Sequence, residues 1–105
     1  MWQIMRKQTR PNTSVPFFGM QTAPVTDEFK MYYQQNFVLT DKLIYMHNEI
    51  SEDSLELFMT MIWDSRESVD AFLADPIIVE QLLSVKQTFM DERGITEILV
   101  SNAEV

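Results

Sequence analysis

The chain has one histidine, His47, and no cysteine, so a single imidazole is the only side chain whose ordinary pKa lies near neutrality. As a general base it needs an orienting partner and a substrate within reach. On an alternating strand pattern it shares a face with Leu43, Tyr45 and Glu49, a setting that suits a structural hydrogen-bonder equally well. Four acids, Glu49, Glu52, Asp53 and Glu56, crowd a turn. They lack the alternating Asp/Asn-and-Gly spacing of a calcium loop, which makes them a solvated hairpin tip. No Ser-His-Asp order, histidine pair or phosphate-cradling loop is present, and two glycines in 105 residues exclude nucleotide motifs on composition. Without cysteine, thiolate nucleophiles and the usual structural zinc ligands also drop out. The expectation is a protein with no metal and no cofactor.

The net charge of −8 argues against a nucleic-acid partner, which needs a surplus of cations on one face. Charge is unevenly placed: residues 1–26 carry Arg6, Lys7 and Arg10 and no acid, while all sixteen acids lie beyond them. The plain reading is a basic strand compensated by an acidic body. The sharper one is an anionic ligand head near those bases. No run approaches the roughly 18 apolar residues of a membrane span, and the opening residues lack the apolar core of a secretory signal. Together with the missing cysteines, this leads us to expect a cytoplasmic protein with no membrane partner.

The apolar side chains offer more. Of eight methionines, Met31, Met46, Met59, Met61 and Met90 fall in segments expected to pack, and flexible thioethers suit irregular or adaptable cavities. They can equally be ordinary core. Combined with Phe17, Phe18 and Trp63, they suggest a pocket for a long or flat apolar molecule whose carboxylate would meet Arg6, Lys7 or Arg10.

Positioning these groups falls to six elements, and the length predicts one domain over residues 1–105. Trp2–Arg10 alternates as a strand, with Trp2 and Ile4 on one side and Met5 on the other. Pro11–Pro24, with three prolines and a glycine, is a long loop in which Phe17 and Phe18 must pack on something. From Thr26, a candidate N-cap followed by Asp27 and Glu28, the spacing of Val25, Phe29, Tyr32 and Phe37 predicts a helix to about residue 37. "DKLIYMHNEI" and "SLELFMTMIW" read as two strands of a hairpin. The second places Leu55, Leu57, Met59, Met61 and Trp63 on one face and Glu56, Phe58, Thr60 and Ile62 on the other. At Asp64 a capping box with Glu67 predicts the next helix, with Val69, Phe72 and Leu73 buried. Asp75 and Pro76 break and restart it. Ile78, Leu82, Val85 and Phe89 continue its apolar face to a stop at Gly94, and Ile95–Ser101 is the last strand.

The order β-α-β-β-α-β predicts an α+β, ferredoxin-like antiparallel sheet with both helices on one face. The third strand is apolar on both sides, so the other face needs a cover, and a homodimer pairing sheet to sheet is the commonest remedy. The strand ending at Trp63 and the following "WDSRESVDAFLADP" resemble the corresponding segment of the dimeric α+β barrel superfamily, in particular its antibiotic-biosynthesis-monooxygenase-like families. That resemblance implies two sheets packed face to face as a barrel, with a ligand pocket between the sheet and helices of each subunit. The haem-degrading members pair a first-strand Asn, the Trp and a His on the next helix. Here only Trp63 matches, with Phe72, Leu73 and Ala74 where the His belongs, which argues against haem degradation. For cofactor-independent oxygenation, Trp63 matches by position and Tyr32, Tyr33, Tyr45, Asn36 and His47 by type alone. The expected function is therefore binding of a small apolar ligand, fatty-acid-like or aromatic, lined by Trp63, Phe17, Phe18, Met59, Met61, Tyr32, Phe72 and Arg6. The alternative is a monooxygenase-like or isomerase enzyme with His47 and Trp63 as its catalytic candidates.

Overall fold

Alternating apolar residues draw the chain into strands whose partners are set side by side. A computed structural model describes residues 1–105. Its strands are β1 (Trp2–Thr9), β2 (Leu43–Ile50), β3 (Glu56–Trp63) and β4 (Thr96–Glu104), all antiparallel to their neighbours in the order β2-β3-β1-β4. Helix α1 (Asp27–Tyr33) and its π-helical extension Gln34–Val38 join β1 to β2. Helix α2 (Arg66–Ala74), then α3 (Pro76–Ile78), a π turn (Val79–Leu83) and α4 (Ser84–Arg93), join β3 to β4. This is the ferredoxin-like α+β fold expected from the order of elements.

Directly opposed residues share a face, so the register maps both sides of the sheet. Across the helix side run Leu43, Trp63 and Trp2, then Met46, Met61, Ile4 and Asn102, then Asn48, Met59, Arg6 and Leu99, then Ile50, Leu57, Gln8 and Glu97. Across the outer side run Tyr45, Ile62, Gln3 and Ala103, then His47, Thr60, Met5 and Ser101, then Glu49, Phe58, Lys7 and Ile98. The buried core lies wholly between sheet and helices: Ile4, Leu43 and Trp63 meet Phe29, Tyr33 and Phe37 of the first helical layer and Val69, Phe72, Ile78, Leu82, Phe89 and Met90 of the second.

Local chemistry explains where the elements start and stop, and where the expectations shift. Thr26 caps α1 through the N–H of Phe29 at 3.1 Å. Asp75 caps α3 through the N–H groups of Ile77 and Ile78, with Pro76 at the first position. The cap of α2 is Ser65, which accepts from the N–H of Ser68 at 3.2 Å, and not Asp64. The backbone N–H of Asp64 is still bonded to Lys42 O at 2.8 Å, holding that residue to the sheet for one step longer. A bulge at Ile44, between Leu43 and Tyr45, turns Leu43 to the helix side, so it does not share a face with His47. β4 runs on to Glu104 because β1 offers it partners as far as Trp2. In the π turn after α1, the Asn36 side-chain amide donates to Tyr32 O at 2.9 Å, satisfying a carbonyl at the point where helical pitch changes.

Gly94 ends α4 with φ of +68°, a backbone shape that a β-carbon disfavours. Gly94→Ala is expected to lower stability by about 1 kcal/mol without altering the far-ultraviolet circular dichroism of the native state. Urea unfolding monitored by tryptophan fluorescence measures it.

Candidate functional site

The sequence-predicted residues separate into three places. At the foot of the helix–sheet layer, Trp63 is almost completely buried, with 1% of its surface exposed. Its indole lies 5.0 Å from the Phe72 ring and 6.3 Å from Phe37, while Phe37 meets Phe72 edge-on at 4.9 Å. Tyr33 closes the cluster 6.3 Å from Phe72, and burial pushes its hydroxyl up to about 12. These rings fill the layer at this end. Tyr32 sits at their margin, 6.2 Å from Phe37, and its hydroxyl donates a hydrogen bond to the Asp75 carboxylate.

At the other end, Phe18 is buried against the edge of Phe89 at 5.6 Å. It is held by Gln8, a fully buried polar residue that the periodicity of β1 does not reveal. The Gln8 carboxamide accepts from the N–H of Phe18 at 3.0 Å and donates to its C=O at 3.3 Å, and its nitrogen also lies 3.8 Å from the sulfur of Met59. Phe17 turns the other way, beneath the guanidinium of Arg10 at 4.2 Å. Met61, beside Met59's end of β3, packs partly buried against the core.

The three amino-terminal cations have separate fates. Arg10 donates to the backbone carbonyls of Ser54 and Val15 at 2.8 and 2.9 Å, and Lys7 pairs with Glu56 at 2.7 Å on the outer face. Arg6 lies on the helix side, 3.6 Å from a Glu97 oxygen that Lys86 holds at 2.6 Å. Burial pushes the Lys86 amine down, and Glu97 offsets part of that shift. The second Glu97 oxygen is buried without a hydrogen-bond partner. Lys86 and Glu97 lie on a helix and an edge strand 11 residues apart, and a sequence pattern carries no signal that they meet.

His47 lies on the outer face, exposed, with its ring stacked 6.3 Å from that of Tyr45. Trp63 is on the opposite side of the sheet, so the two catalytic candidates do not come together within one protomer. Two surface concavities, of about 350 and 390 Å³, lie along Ser84–Arg93 beside Pro24 and at the Ser51–Glu56 turn. No three His, Cys, Asp or Glu side chains gather to hold a metal ion, and no helix is long and apolar enough to cross a membrane.

No protein-family model matches the chain, and no curated protein shows significant sequence similarity to it. Solved structures do resemble it. A dimeric ferredoxin-like protein from an uncultured marine organism superimposes with a TM-score of 0.51 at 12% identity, over 99% of this chain and 97% of that one. A candidate antibiotic biosynthesis monooxygenase from Deinococcus radiodurans gives a TM-score of 0.49 at 10% identity, over 100% of this chain and 95% of that one. At such identities the likeness is one of fold, and it spans the chain from end to end.

The contact between Tyr32 and Asp75 has a pH signature. Burial pushes the Asp75 carboxyl up, but the Tyr32 hydroxyl and the N–H groups of Ile77 and Ile78 outweigh it and hold the group below its ordinary value. The hydrogen bond to Asp75, then burial and the Asp75 charge, push the Tyr32 hydroxyl up. A depressed carboxylate contributes stability above its unfolded pKa of about 3.9 that is lost as pH falls through the folded value. A raised phenol contributes stability below about 10 that is lost as pH rises through its folded value. Tyr32→Phe is therefore expected to lower Tm near neutrality and to flatten its decline at both ends of the range, as calorimetry from pH 3 to 11 would show.

Proposed function

We propose that the chain works as a homodimer, paired sheet to sheet, in which each protomer binds a small apolar molecule with an anionic or polar head between its helices and sheet. The single observation that carries the pairing is the uncovered outer face. Met5, Phe58 and Ile62 stand there half-buried by their strand neighbours alone, and Tyr45 and Ile98 at its margins are 53% and 55% exposed. The polar groups of this face are mostly small or mutually compensated, as in the ion pair of Lys7 with Glu56. A second copy brings the same residues to the contact, which is what two-fold pairing of one patch requires. The name of the marine ferredoxin-like protein, dimeric, agrees with this reading.

Support for the ligand comes from the helix side. Met46 and Met61 stand opposite each other there, Met59 is next on β3, and Arg6 is Met59's direct neighbour on β1. Thioethers can repack around a flexible tail, and a cation beside them suits its head. Phe18, Trp63, Phe72 and Tyr32 bound the same layer at its two ends, whereas Phe17 is directed toward Arg10.

Sedimentation at micromolar concentration is expected to give a dimer for the wild type and a folded monomer for Ile62→Glu, because its direct neighbours on the outer face, Tyr45 and Gln3, offer a carboxylate no cation. A wild-type monomer would remove the pairing. Native mass spectrometry of protein from cells, followed by solvent extraction, is expected to yield an apolar compound at about one per protomer. An empty extract would remove the ligand.

A further inference from the structure

We draw no further inference here: the strongest candidate, the apolar surface patch that Met46 and Ile50 form on the helix side of edge strand β2, is half-exposed, and nothing in the structure shows what covers it.

Discussion

A four-stranded sheet has two faces, and right-handed crossovers deliver helices to only one of them. That constraint governs the rest of the molecule. On the helix side, Trp63, Ile4 and Leu57 are covered, and the helices fit because aromatic rings of α1, its π turn and α2 meet over the Trp63 indole. On the outer side, Phe58, Ile62 and Met5 alternate with polar residues, so the face is neither a core nor a fully solvated surface. Such a face fits a contact between molecules better than permanent exposure. Both edge strands keep the same character: β2 from Ile44 onward and much of β4 are exposed on both sides.

Within the covered half, the helices do not reach everything, and the loop completes the work. Where α1 and α4 leave the upper part of β1 uncovered, a carboxamide replaces a strand partner. Gln8 presents to Phe18 the donor and acceptor that another backbone would have offered. Buried polar groups demand full pairing, and this one has it. A side chain thus fixes a segment whose composition, with three prolines in fourteen residues, bars it from regular structure.

Much of this was legible in the sequence, and the limits have physical causes. Period-two alternation identified the first three strands, and the segment after the Gly94 stop was read as the fourth. Thr26, Asp75, Pro76 and Gly94 marked helix ends because capping depends on chemistry within three or four residues. Trp63 was legible from the apolar strand face it ends, and Phe72 from its place on the helical stripe, whereas Leu73 of the same stripe is exposed. What escaped depended on long-range geometry. The bulge at Ile44 inverts the face of Leu43 and is set by pairing with β3, not by composition. Ser65 displaces Asp64 as a cap because a carbonyl of Lys42, 22 residues earlier, takes the Asp64 N–H. Gln8 reads as an ordinary polar residue near a strand end, and nothing nearby announces that its partner is ten residues on.

The fate of the cations narrows the chemistry further. Three bases open the sequence, and any of them would suit an anionic head on charge alone. Arg10 is committed to two carbonyls and an aromatic ring, and Lys7 is neutralised on the outer face. Arg6 alone faces the helix layer, at the longest of its region's ionic contacts, because Lys86 holds the shared carboxylate more closely. Two cations around one carboxylate leave a positive excess in a half-buried place, and a buried ion pair adds little net stability. The unpartnered oxygen of Glu97 makes the arrangement costlier still. A fold selected for stability alone would pack apolar side chains here, so this cluster contributes little as a brace for the sheet.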